Sequence, residues 1–251
     1  MAKVITLGTA AAVSDEKHAN THLAVTGEKG FFLIDCAGNP VVRLKQAHLA
    51  HERLRGLIIT HFHPDHVGGI PILLMNIWLL GHTAPLPMYG LASVMERFET
   101  MMNLFYWHEW PNLFPVPLNA IAEKVGAPVF EDDQFRVTAA PVEHLVPTIG
   151  LRIENKHSGR VAAYSSDTSP CDAVVELARD ADVLIHEAAE DTLGHSSAAQ
   201  AGEIARRAGA KRLVLIHYRP SPKKYARWVQ EATATFGGPV ELAQDFGAYE
   251  F

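Results

Sequence analysis

Thr60-His61-Phe62-His63-Pro64-Asp65-His66-Val67-Gly68-Gly69 follows directly on the apolar run Leu57-Ile58-Ile59. Three imidazoles and a carboxylate fall between His61 and His66. An apolar run of that length, bounded by Gly56 and the histidines, reads as a short buried strand delivering polar groups at its end. His61 and His63 are two residues apart, so at a strand terminus both side chains leave on the same side and converge. Pro64 blocks continuation of the strand, and Asp65 and His66 come on the next turn, facing a neighbouring point. Such a set suits two adjacent metal sites rather than one, because imidazole nitrogen and carboxylate oxygen bind borderline divalent ions, zinc first. A histidine-rich loop that bound nothing would leave these polar groups short of partners. Gly68 and Gly69 allow a close approach by the helix predicted over Ile70 to Leu80.

The pattern H-x-H-x-D-H resembles the signature of the metallo-β-lactamase superfamily, whose fold is a four-layer αβ/βα sandwich with the metal site at the open edge of two sheets. The family draws its other ligands from later strand ends, and matching residues stand here in the right order. His144 ends the stretch Phe135 to Glu143, Asp167 ends Val161 to Ser166, and His217 ends Arg212 to Ile216. The resemblance implies that His61, His63 and His144 hold one ion, that Asp65, His66 and His217 hold the second, and that Asp167 bridges them. Asp167 by itself would read as a helix cap before Pro170. Asp35, after Phe31 to Ile34, stands where the family carries an aspartate that supports the ligand loop. Neither Cys36 nor Cys171 occupies a ligand position. The implied cofactors are two divalent ions, zinc by default, with manganese or iron accepting the same donors. Water bridging two such ions has its pKa lowered from about 15.7 towards about 7, and so becomes the nucleophile, with Asp65 as base.

At 251 residues, with 48% hydrophobic and 20% charged residues, the chain is ordinary for a globular protein with a sizeable core. One hydrolase domain over 1–251 is the expectation. No apolar run reaches the length of a membrane span, the N-terminus enters a strand without a cleavage pattern, and two distant cysteines fit a reducing compartment, so the expected location is the cytoplasm. Strands are predicted near Lys3 to Leu7, Thr21 to Val25, Gly30 to Ile34, Val183 to His186 and Arg212 to Ile216, with a strand-rich block from Pro117 to Ser165. Helices are predicted near Val41 to Ala50, Ala92 to Met102, Asp172 to Arg179, Ser196 to Ala208 and Pro222 to Phe236. Two such halves fit two sheets packed face to face with helices outside.

A second stretch narrows the chemistry. Leu184-Ile185-His186-Glu187-Ala188-Ala189-Glu190 followed by Gly194-His195-Ser196-Ser197-Ala198 resembles the ribonuclease Z branch, where an H-E-A-T motif precedes a G-H-S/T-S/T-A segment that opens a helix. Ala189 replaces the threonine. Ser196 is the expected N-cap. The resemblance implies a phosphodiesterase in which His195 donates a proton to the leaving oxygen and Glu187 orients its imidazole. His186 reads as structural.

Charge and length bear on the substrate. The net charge of −6 argues against a general nucleic-acid binder. Yet Arg206, Arg207, Lys211, Arg212, Arg219, Lys223, Lys224 and Arg227 fall in one span without an intervening acid, and Arg219 and Lys223 stand close enough after His217 to steer a phosphate. Ribonucleases Z insert a long arm for transfer RNA between the third histidine and the bridging aspartate, whereas Asp167 stands only 23 positions after His144. On that ground a small phosphodiester or nucleotide-like substrate is expected ahead of transfer RNA. Transfer-RNA 3′ processing and carboxylic (thio)ester or lactone hydrolysis are the enzymatic alternatives, and a scaffold without activity is disfavoured because all seven ligand positions are filled. Related enzymes imply a homodimer. The aromatic stretch Leu104 to Pro115 is expected in the core or an interface ahead of forming a lid over the metals.

Overall fold

A computed structural model describes residues 2–251. Two seven-stranded sheets form its centre. The first contains β1 (Lys3–Gly8), β2 (His22–Gly27), β3 (Gly30–Ile34), β4 (Leu54–Ile58), β5 (Met88–Leu91) and β6 (Leu118–Ile121). The second contains β7 (Ala127–Glu131), β8 (Phe135–Val142), β9 (Thr148–Asn155), β10 (Val161–Tyr164), β11 (Val183–Glu187), β12 (Leu213–Ile216) and β13 (Val240–Leu242), and β14 (Ala248–Glu250) returns to the first beside β1. Each sheet is antiparallel on one side and parallel on the other: β3 to β6 run parallel in the first, β10 to β13 in the second. Strands β3 and β12, inside the parallel halves, are buried on both faces, which is why Phe31-Phe32-Leu33-Ile34 and Leu213-Val214-Leu215-Ile216 read as unbroken apolar runs.

Helices α1 (Pro40–Gln46), α2 (Pro64–Val67), α3 (Ile70–Leu79) and α4 (Ala92–Asn103) belong to the first half, and α5 (Asp172–Leu177), α6 (Ala198–Ala208) and α7 (Pro222–Phe236) to the second. One apolar cluster lies between the sheets and under the first-half helices, and a second lies between α5, α6, α7 and the outer face of the second sheet. The result is the αβ/βα sandwich of the metallo-β-lactamase fold. Glycines permit close approaches at two packing points. A Cβ at Gly69 would stand 2.8–2.9 Å from backbone atoms of Cys36 and Ala37, and one at Gly202 would stand 2.2 Å from Thr235 Oγ1 and 2.4 Å from the carbonyl of Ala232.

The expected elements are present with edges moved by a few residues. The N-cap of α6 is Ser197, not Ser196: its hydroxyl accepts from Gln200 N, and Gln200 Oε1 accepts from Ser197 N. Ser196 instead donates to the carbonyl of Thr168, 2.7 Å away. In the segment 104–115, Trp107 and Phe114 join the core while Leu104, Phe105 and Tyr106 are exposed. Because β5 and β6 run parallel, α4 and this segment must carry the chain back to the opposite end of the sheet before β6 starts. The segment is therefore no lid over the histidines. Among the described residues, no helix is long and apolar enough to cross a membrane.

Candidate metal centre

Residues 59–66 leave β4 at its C-terminal end, where loops after β3, β8, β10, β11 and β12 also meet. The turns there are sharp. Asp35, Ser166 and His217, each within two residues of a strand end, adopt left-handed backbone angles (φ 60°, 55° and 52°) that non-glycine residues seldom take outside constrained sites.

His61 Nε2 lies 3.2 Å from His63 Nδ1, which lies 3.2 Å from His144 Nε2. Asp167 Oδ2 stands 3.9 Å from His61 Nε2 and 4.0 Å from His144 Nε2. Nitrogens held at about 2.0–2.1 Å around a tetrahedral ion are about 3.3 Å apart, so this is the spacing of a cage. Beside it, His66 Nε2 lies 3.7 Å from Asp65 Oδ2 and 3.5 Å from Asp167 Oδ1, and His217 Nε2 lies 3.1 Å from Asp167 Oδ2. Asp167 thus faces both clusters, and it makes no cap on α5, whose N-cap is Cys171.

A cation fits this donor set. His66 Nε2 and Asp167 Oδ1, both facing the cluster, are buried without a hydrogen-bond partner among the described residues, an arrangement that costs free energy unless something else satisfies them. Burial holds the His61 imidazole well below its ordinary range, and burial also lowers His144, so both keep the neutral form that ligation needs. Burial opposes charge on His66 too, but Asp167 and Asp35 outweigh it and hold that imidazole well above its usual range. In Asp167 burial is likewise outweighed, by His217 and His66, and its carboxyl stays well below the ordinary value. A proton on His66 thereby offsets two carboxylates, the task a divalent ion would perform.

The surrounding shell fixes the rings. Asp35 accepts from His66 Nδ1 at 2.8 Å, from Thr60 N at 2.8 Å and from Thr60 Oγ1 at 2.8 Å, and Thr60 Oγ1 is 3.1 Å from His61 Nδ1. The carbonyl of Gly194 accepts from His144 Nδ1 at 2.7 Å. Asp35 was legible in the sequence; Thr60 and Gly194 were not, although a polar residue directly before the first histidine is a usable signal.

A cavity of about 360 Å³ opens onto these clusters, lined among others by Val13, His63, Asp65, His195, His217 and Arg219. His195 Nδ1 is 2.9 Å from Glu187 Oε1. Glu187 is fully buried, far from the surface acid it might pass for, and accepts also from Thr168 N and Ala189 N, both at 2.9 Å. A carboxylate only accepts, so His195 carries its proton on Nδ1 and turns Nε2 towards the cavity. The bond to Glu187, against burial, raises the His195 pKa; burial raises Glu187, with His195 pulling it back. One atom each of Asp167, His195 and His217 lie within 4.8 Å of one another, which places His195 at the edge of the second cluster. His186 stays apart, buried, its Nδ1 2.8 Å from the carbonyl of Glu187.

Fold and clusters together define a metal-dependent hydrolase with a candidate dinuclear site. The chain belongs to the beta-lactamase superfamily, whose domain model matches residues 31–218, and within it to the ribonuclease Z-like, phosphodiesterase branch. It is 31% identical to Ribonuclease Z of Mycobacterium sp. (strain KMS), over 100% of this chain and 96% of that protein. The solved structure of human tRNase Z, short form, superposes with a TM-score of 0.80 at 28% identity, covering 99% of this chain and 98% of the other. The metallo-beta-lactamase fold protein YhfI from Bacillus subtilis superposes with a TM-score of 0.84 at 24% identity, covering 100% and 99%, a likeness of fold. These relatives overturn one expectation. Ranking transfer RNA below a small phosphodiester rested on the short span from His144 to Asp167, yet the likeness to ribonucleases Z runs the whole length of the chain.

Proposed function

We propose that residues 1–251 form one hydrolase domain that acts as a ribonuclease Z-type endonuclease, cutting a phosphodiester at the 3′ side of a transfer-RNA precursor. The observation that carries this reading is His195, held by a buried carboxylate at the wall of the metal cavity with Nε2 facing inward. Hydrolysis of an ester or lactone has no need of such a group.

In this reading His61, His63 and His144 would hold one zinc ion and Asp65, His66 and His217 the other, with Asp167 shared. The ions, when bound, supply Lewis acidity and a water acidified towards neutral pH. Asp65 takes the proton of the attacking water. As the new phosphorus–oxygen bond forms and the bond to the 3′ oxygen breaks, His195 Nε2 delivers a proton to the departing oxygen. Arg219 lines the cavity with no carboxylate partner among the described residues and holds a non-bridging oxygen. Arg206, Arg207, Lys211, Arg212, Lys224 and Arg227 are each paired with an acid, and Lys223, also without an acid partner among the described residues, does not line the cavity.

No arm interrupts the turn between β9 and β10 at 156–160. RNA must then be gripped around the cavity, where Val13 is exposed and where a neighbouring cleft of about 460 Å³, lined by His144, adds the exposed Leu145 and Leu193. The two free, buried cysteines agree with a cytoplasmic location. The test is incubation of metal-loaded protein with a transfer-RNA precursor bearing a 3′ trailer, with the cut mapped. One cut releasing the trailer is expected, slowed about 100-fold or more by His195→Ala at unchanged metal content. Turnover of a p-nitrophenyl ester or a lactone with the RNA left intact would refute the reading.

A further inference from the structure

A second cavity lies at the other end of the same strands. It encloses about 200 Å³ and is walled by Phe32, Tyr89, Phe130 and Phe135, with Arg55 and Gly56 at its mouth. Arg55 and Gly56 lie in the first half of β4, whose far end leads to His61, and six residues of extended chain put the two sites about 20 Å apart. This cavity is therefore separate from the metal centre.

The rings form a connected cluster. Phe32 and Phe130 meet edge to face with centroids 5.0 Å apart, Phe32 and Phe135 at 5.8 Å, and Tyr89 is tilted against Phe130 at 5.4 Å. Such walls offer both faces and edges to a flat guest. Most charges at the rim are already engaged. Lys29 pairs with Asp133, Glu131 with Arg136 and Lys156, and Asp132 Oδ1 accepts from the backbone of Gln134 and Phe135. Three donors are left over: the exposed Arg55 guanidinium, the half-buried Tyr89 hydroxyl and the side-chain Nε2 of Gln134 have no partner among the described residues. Small, mostly apolar hollows with a few convergent donors are the usual form of a ligand site.

We infer that this cavity is a binding site for a small planar aromatic anion, its ring packed against the joined Phe130 and Tyr89 rings and its anionic group on Arg55, with the Tyr89 hydroxyl as second donor. Arg55 is the lining cation without an ion pair among the described residues, while the lining carboxylate of Asp132 is held by the amides of Gln134 and Phe135, so the anionic group of the guest belongs on Arg55; the cavity volume limits the guest to one or two fused rings. A carboxylate and a phosphate monoester share this chemistry, and both serve as probes.

The experiment is ligand-observed saturation-transfer NMR on metal-loaded protein with 2-naphthoate, 2-naphthyl phosphate and the neutral 2-naphthalenemethanol, repeated in Arg55→Ala, Tyr89→Phe and His66→Ala. The inference expects the anions to bind more tightly than the alcohol. Arg55→Ala should raise their dissociation constants about tenfold, Tyr89→Phe should raise them by a smaller factor, and His66→Ala should leave them unchanged. Absence of binding to the unmodified protein would overturn it. So would binding that is indifferent to Arg55 and Tyr89, or that disappears in His66→Ala and so belongs to the metal centre.

Discussion

Asp35 Oδ2 sits 2.8 Å from His66 Nδ1, and the same carboxylate takes both the amide and the hydroxyl of Thr60, so one buried acid orients the loop that carries four of the candidate ligands. Removing its charge while keeping its shape should loosen the metal without unfolding the protein. Asn tolerates the left-handed backbone that Asp35 adopts, which makes Asp35→Asn the appropriate change. Metal affinity should fall about 10–100-fold, read by competition with a chromogenic chelator. Unchanged affinity would mean that Asp35 serves the fold alone.

The pair His195 and Glu187 makes a prediction about pH. Glu187 raises the His195 pKa, and the proton donor is the protonated form, so activity should be held below that raised pKa and lost as pH climbs through it. In Glu187→Gln the loss should begin at lower pH, with kcat down about 100-fold and metal content retained. The pH dependence of kcat for RNA cleavage decides the matter. An alkaline limb that does not move would remove His195 from the role of donor.

Acid stability should depend on histidines that bind nothing. His22 and His186 are fully buried, and burial lowers both pKa values to about 4. Unfolded, each would titrate near 6.5, so the unfolded chain takes up protons that the native state refuses. The native state is unaffected above about pH 6.5 and loses stability as pH falls from there towards 4, by about 2 kcal/mol per histidine at pH 5. His186→Leu should flatten the fall in urea midpoint between pH 7 and pH 5 by roughly one histidine's share. A slope equal to the unmodified protein's would show that His186 charges without penalty.

The ligand histidines were legible because spacing along a strand is a local property: two residues put His61 and His63 on one side, and Pro64 forces the turn that brings Asp65 and His66 round. His144, Asp167 and His217 were legible because each ends an apolar run. What depends on distant parts of the chain was hidden. Strand β5, Met88-Tyr89-Gly90-Leu91, has neither alternation nor a branched run, and only its place between β4 and β6 makes it a strand. In the basic span, Arg206, Arg207 and Lys211 read as a solvated face, and two of their acid partners could not be seen because they lie far along the chain: Asp172 is 35 positions from Arg207, and Asp182 is 29 from Lys211. The fit of the substrate was misread for the same reason, since a missing insertion says what one grip lacks and nothing about the surface around the cavity.

Gly69 joins the fold to the site. Its Cβ position is filled by the backbone of Cys36 and Ala37, and Cys36 in turn is bonded to this segment through its amide to the carbonyl of His66 and its carbonyl to the amide of Gly69. Backbone cannot swing aside as a side chain does, so Gly69→Ala must push α2 and α3 away from the loop after β3. The expected cost is about 1–3 kcal/mol, the range for overpacking a tight contact. Because Asp35 sits at the start of that loop and His66 just ahead of Gly69, the same displacement should lengthen the bond between them. Thermal melting and metal stoichiometry should therefore fall together in Gly69→Ala. A stability loss with metal binding intact would show that the 2.8 Å contact survives the strain and that fold and site are independent at this junction.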